Sequence, residues 1–135
     1  MIVVDSSVAF KWFVAEPHVD AAMALLSDEQ LLAPDLIIPE VMNAVWKIVR
    51  RGTVSPSQIV EIEKRLPDCF SEIVPTRGVA KAALDIALEL DHPVYDAFYI
   101  ALAERREIHL ITADERLQRK IRNTRFAKFV RPLAR

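Results

Sequence analysis

The sequence predicts an α/β domain built on a parallel sheet of four to five short strands, covered by helices on both faces. Two observations point there. Short apolar runs rich in β-branched residues alternate with longer stretches of helical periodicity, the pattern of successive βαβ units. The chain also has 135 residues, 52% hydrophobic and 27% charged, enough for one well-buried core and too few for two. No linker, repeat or low-complexity run divides it, so residues 1–135 read as one domain.

The elements follow in order. Ile2-Val3-Val4 is a β-branched run and reads as a buried strand ending at Asp5. Ser6 or Ser7 is placed to cap a helix over residues 6–14, which Pro17 closes. A second helix is expected over 19–27, and a second strand at Leu31-Leu32-Ala33, before Pro34. Pro39 suits a first helical position, where its missing N–H would have no partner anyway. The helix it opens runs to Arg51, with Gly52 as its C-terminal cap. On that helix Glu40, Asn43, Lys47, Arg50 and Arg51 fall within one stripe about 100° wide. Ser55-Pro56-Ser57-Gln58 is a capping-box pattern for a helix ending near Pro67. Ile73-Val74 reads as a short strand, and Val79, Ala83, Ile86 and Leu90 share one face of the next helix. A further helix spans 94–106. After it come a strand over 108–112, a short helix beginning at Asp114, and a last edge strand at Phe129-Val130.

Composition excludes several chemistries. Gly52 and Gly78 are too far apart for a glycine-rich phosphate cradle. Cys69 is alone, which rules out internal disulfides and C-x-x-C zinc sites, fits a reducing compartment and leaves it an ordinary thiol. His18, His92 and His109 have no metal-ligand spacing and are assigned no catalytic role. The longest run without a charged residue, 52–60, is far shorter than the roughly 20 residues of a membrane-spanning helix. Residues 1–5 show no basic leader, so a cytoplasmic protein without membrane association is expected. Chemistry falls mainly to the 19 carboxylates.

A net charge of −1 conceals an asymmetry. Residues 115–135 hold eight bases and one acid, and residues 1–114 hold ten bases and 18 acids. The basic residues Arg116, Arg119, Lys120, Arg122, Arg125, Lys128, Arg131 and Arg135 read equally as a solvated face or as a phosphate-contacting patch.

Four acids stand out by position. Asp5 ends the first strand, Asp114 follows the strand over 108–112, and Glu40 lies in a helical first turn. Asp96 opens a helix whose next seven residues are uncharged, so it enters the interior. Singly, each acid has a structural role open to it, as a helix-dipole partner, a cap or a turn residue. In a parallel α/β sheet, however, strand ends and helix starts share one edge, where ligands bind. Carboxylates gathered there repel one another and lose hydration, and they persist together when a cation holds them. Hard oxygen donors without thiolates favour Mg²⁺ or Mn²⁺ over zinc.

These four acids, in this order, resemble those of the PIN-domain ribonucleases, most closely the VapC-like toxins of type II toxin–antitoxin systems. Ile2-Val3-Val4-Asp5-Ser6-Ser7 looks like the family's opening strand and first aspartate, and Pro39-Glu40-Val41-Met42-Asn43-Ala44 like its E-x-x-N helix. The most specific piece is Tyr95-Asp96-Ala97-Phe98-Tyr99-Ile100-Ala101-Leu102-Ala103, and Leu110-Ile111-Thr112-Ala113-Asp114 looks like the family's T-x-D strand end. The resemblance implies a three-layer α/β/α fold and metal-dependent cleavage of RNA, leaving a 3′-hydroxyl and a 5′-phosphate. It implies Mg²⁺ or Mn²⁺ bound by Asp5, Asp96 and Asp114, with Glu40 completing the catalytic pocket. It also implies a homodimer and a cognate VapB-like antitoxin.

Ser7 and Thr112 are then candidates for hydrogen bonds to the carboxylates or the phosphate, and Asn43, one turn from Glu40, for holding that carboxylate. Tyr95 reads as packing. Arg116, Arg119, Lys120 and Arg122 gain weight as RNA contacts. Phe10, Trp12, Phe13 and Trp46 are core or partner-facing, the latter as an antitoxin groove. Two alternatives stay within the fold: an RNA-processing nuclease outside toxin–antitoxin systems, and a catalytically silent interaction domain. A haloacid-dehalogenase site would need D-x-D, but Ser6 and Ser7 follow Asp5, and the acid and lysine set of a receiver domain is missing.

Overall fold

A computed structural model describes residues 1–134; Arg135, counted above with the basic segment, lies outside the described residues. The apolar runs become five strands: β1 (Ile2–Val4), β2 (Leu31–Pro34), β3 (Glu72–Val74), β4 (Leu110–Thr112) and β5 (Val130–Pro132). They pair in parallel in the order β3-β2-β1-β4-β5. Every residue of β1 and β2 is buried, as strands covered on both faces must be. Val3 lies in register between Leu32 and Leu110.

The helices are α1 (Ser6–Ala9), α2 (Val19–Asp28), α3 (Ile37–Arg50), α4 (Pro56–Arg65), α5 (Ala80–Leu90), α6 (Val94–Arg106) and α7 (Glu115–Ile121). The chain steps outward from β1 to β3, then crosses back past both earlier strands to β4 and β5. Right-handed crossovers in opposite directions set helices on opposite faces, giving three α/β/α layers. Helix α6 packs on β1, β2 and β4, with α5 against it. Its Ala97, Tyr99, Ile100, Ala101, Leu102 and Ala103 are all buried, as the uncharged stretch requires.

Helices α4 and α6 start as expected, with both halves of the Ser55–Gln58 capping box formed. Gly52 ends α3 in the left-handed region at φ +74, where an L side chain would be strained. The differences have local causes. The first helix is cut to four residues and tightens into a 3₁₀ turn, Phe10–Trp12. Its cap is Asp5, not Ser6 or Ser7. Helix α3 begins two residues before Pro39, which still falls in the first turn, where N–H groups have no helical partner. Strand β4 begins at Leu110, because Glu107 turns left-handed and the Ile108 N–H bonds back to the Ala103 carbonyl, closing α6. The last strand shifts to end on Pro132, which an edge strand tolerates.

Candidate active site

The strand order reverses between β1 and β4, and in open parallel sheets ligands bind beyond the carboxyl ends at such a point. Asp5 leaves β1 there, Thr112 ends β4, and Asp114 lies two residues on. Asp5 is only 4% exposed. Its Oδ1 accepts from the Ser7 hydroxyl and, at 3.3 Å, from the Val8 N–H; its Oδ2 accepts from the Thr112 hydroxyl. Those hydroxyls are themselves fixed: Ser7 Oγ accepts the Ala113 N–H at 2.9 Å, and Thr112 Oγ1 the Asp114 N–H at 3.0 Å. Burial outweighs these donors and pushes the Asp5 carboxyl up to about 6, the charge of Asp96 acting in the same direction.

Beneath the cluster, buried Tyr99 donates its hydroxyl to Glu40 Oε1 at 2.5 Å. Burial and the charges of Glu40, Asp5 and Asp96 drive the Tyr99 phenol far up, so it stays a donor. Burial also raises Glu40, with Tyr99 opposing and Asp96 adding to the rise. Asp96 is half-buried and accepts from His92 Nε2 at 2.6 Å through Oδ2. Asp114 caps α7, its Oδ1 accepting from the N–H groups of Arg116 (2.8 Å) and Leu117 (3.2 Å).

The structure thus ties Glu40 to Tyr99, on the helix that carries Asp96, and joins Asp114 to Asp5 through Thr112. Ser7 and Thr112 both donate to Asp5. Two expectations need correction. Asn43 is exposed and does not hold Glu40; Tyr99 does. Tyr95 is 59% exposed rather than packed. His92, assigned no catalytic role, is a hydrogen-bond partner of Asp96 that the sequence reading did not anticipate. Tyr99 had a sequence signal, three residues beyond Asp96 on the same helical face.

Among the described residues, no three His, Cys, Asp or Glu side chains converge closely enough to cage an ion as they stand. The donor set nonetheless suits a hard cation. Among the described residues, Asp96 Oδ1, Glu40 Oε2 and Asp114 Oδ2 accept no hydrogen bond. Mutual repulsion among Asp5, Glu40 and Asp96 is what a cation would relieve.

Around the site, Arg116, Arg119, Lys120 and Arg122 are exposed, with Arg119 3.7 Å from Glu115. Arg125 is engaged with Glu89 and Glu104, both at 3.0 Å. Trp12 is half-buried, donating Nε1–H to the Ala22 carbonyl at 2.9 Å and packing tilted on Phe70. Phe10 is buried, whereas Trp46 is 53% exposed.

The PIN domain family matches residues 2–123. This chain belongs to the PIN-domain family. Ribonuclease VapC3 of Pyrobaculum aerophilum is 34% identical to this PIN domain over 122 residues, covering 88% of it and 93% of the relative. Ribonuclease VapC9 of Mycobacterium tuberculosis is 30% identical over 120 residues, covering 87% and 88%. These relatives make the PIN domain VapC-like. A toxin–antitoxin complex from Klebsiella pneumoniae contains a chain of the same fold, with TM-score 0.71 and 17% identity, covering 98% of both chains.

Proposed function

We propose that the chain is an endoribonuclease dependent on Mg²⁺ or Mn²⁺, the toxin half of a VapBC-type pair. The observation that carries this reading is the placement of Asp5, Glu40, Asp96 and Asp114 at the strand ends and helix starts of the sheet's carboxyl edge, with Asp5 clamped by Thr112 and Glu40 by Tyr99. The ribonuclease names of the relatives support it. Asp5, Asp96 and Asp114 would hold the ion, with Glu40 beside them. When bound, such an ion acidifies water and neutralises charge growing on the phosphate oxygens.

The chain's own residues supply the rest. Ser7 and Thr112 fix both oxygens of Asp5, so its charge is held still. Tyr99 keeps its proton and anchors Glu40, whose carboxyl, raised by burial, is suited to take the proton of the attacking water. Attack on phosphorus breaks the bond to the 3′-oxygen and leaves a 5′-phosphate. Exposed Arg116, Arg119, Lys120 and Arg122 would neutralise flanking phosphates.

The antitoxin fits a different surface. A cavity of about 460 Å³ has an apolar lining of Phe10, Phe13, Val14, Ile48, Val54 and Ile62, edged by Glu16, Arg51, Thr53 and Gln58, a mixture that an amphipathic helix would meet. Leu84 and Leu88, four residues apart on α5, are 52% and 72% exposed and suit a second copy of the chain in a homodimer. No helix among the described residues is long and apolar enough to cross a membrane.

Asp96→Asn is the direct test. With Mg²⁺ and single-stranded RNA the parent chain is expected to cut, and the variant to lose at least a hundredfold in rate while its melting curve is retained. A folded Asp96→Asn chain that cuts as the parent does would overturn the assignment. A parent chain inert with both ions would indicate the silent interaction domain.

A further inference from the structure

We propose that the cavity beside Glu40 is a nucleobase subsite, holding a nucleotide of single-stranded RNA next to the scissile phosphate, with Tyr95 as its stacking platform. The proposal rests on the ribonuclease reading above. The cavity is about 440 Å³, and Glu40 forms part of its wall, so an occupant adjoins the acidic cluster directly. Tyr95 precedes Asp96 in the first turn of α6, and its ring is 59% exposed, whereas Tyr99 on the same helix is buried. Leu36, Pro39 and Ala44 give an apolar lining, Asn43 an amide that both donates and accepts, and Lys47 a cation one turn further on.

This combination fits a nucleotide better than a protein helix. A π face accepts any base, an amide reads its polar edge, and a cation meets the backbone. After Glu40, α3 carries no further acid, and its polar stripe continues through Lys47 to Arg50, whose guanidinium lies 5.0 Å above the exposed Trp46 ring. From Glu40 to Arg50 the helix rises about 15 Å, a track leading away from the acids. The stripe visible in the sequence thus becomes the wall of a substrate path.

The test is binding, read without catalysis. Asp96→Asn protein is titrated against a fluorescent, random-sequence oligoribonucleotide of about ten nucleotides, and against the same backbone lacking bases. Adding Tyr95→Ala is expected to weaken RNA binding about 5- to 100-fold with an unchanged salt slope, and Tyr95→Phe to stay within about twofold. Tyr95→Leu, which keeps bulk without a π face, is expected to follow alanine and serves if the alanine variant fails to fold. Lys47→Gln is expected to reduce the salt slope by about one. The baseless probe is expected not to distinguish tyrosine from alanine at position 95.

Equal RNA affinity for Tyr95→Ala would overturn the subsite while leaving the nuclease reading intact. So would an equal loss with the baseless probe, or a leucine variant that binds like tyrosine. Unchanged RNA affinity with an altered sedimentation coefficient would assign the face to contact between copies of the chain and overturn the subsite too. If the Asp96→Asn chain with tyrosine at 95 binds neither probe, the ribonuclease reading and the subsite fall together.

Discussion

Asp5 carries its charge where burial opposes it, its carboxyl rising from 3.8 to about 6. Below the lower value both folded and unfolded states are protonated, and above the upper value both are ionised. Between the two the folded chain binds more protons, so stability falls as pH rises, by roughly 3 kcal/mol in all. Urea unfolding of Asp5→Asn should therefore show a gain of about 1–3 kcal/mol over the parent at pH 7.5, shrinking towards pH 4, together with loss of RNA cleavage. A metal ion needs Asp5 ionised, so calorimetric Mg²⁺ affinity should climb as pH rises through about 6 and level off above it. Tyr99→Phe removes the donor that lowers the Glu40 carboxyl. The acid limb of the pH–rate profile should move to higher pH, at a stability cost of about 1 kcal/mol. A profile identical to the parent's would separate Tyr99 from the site.

Helix α7 allows the capping role of Asp114 to be told apart from the role proposed for it at the acidic site. Asp114 caps it through two N–H groups, a task asparagine performs equally well. Asp114→Asn should melt like the parent and lose cleavage, whereas Asp114→Ala should lose about 1 kcal/mol as well. An asparagine variant with full activity would reduce Asp114 to a cap. The same helix shows why the four acids were legible in the sequence: each sits at a strand end or a helix start, and the β-branched runs and uncharged stretches that mark those places are local. Their partners were harder to read. Tyr99 reaches Glu40 across 59 positions, a separation closed by the tertiary fold, which no periodicity encodes. Asn43 shares a stripe with Glu40, and that proximity on one helix suggested a bond that a tyrosine from another helix makes instead. Tyr95 shares a helix with buried residues, yet its own side chain faces solvent. The start of β4 also moved by two residues, because the left-handed turn at Glu107 extends helix closure into the apolar run.

At the scale of the molecule, the basic C-terminal segment divides. Arg125 is taken up by acids on α5 and α6, exposed pairs of small energetic worth, while the α7 cations remain in solvent. Reversing Arg119 and Arg122 to glutamate should weaken RNA binding and flatten its dependence on salt, measured by anisotropy; an unchanged slope would make them a solvated face. The bond from Thr112 to Asp5 spans 107 positions. During synthesis Asp5 therefore emerges from the ribosome long before the strand that orients it. A nascent or truncated chain has the first acid without its clamp, its neighbour strand or Asp114. If these residues carry the chemistry as proposed, such a chain is disarmed by topology alone and should cut RNA only after nearly all of it has been made.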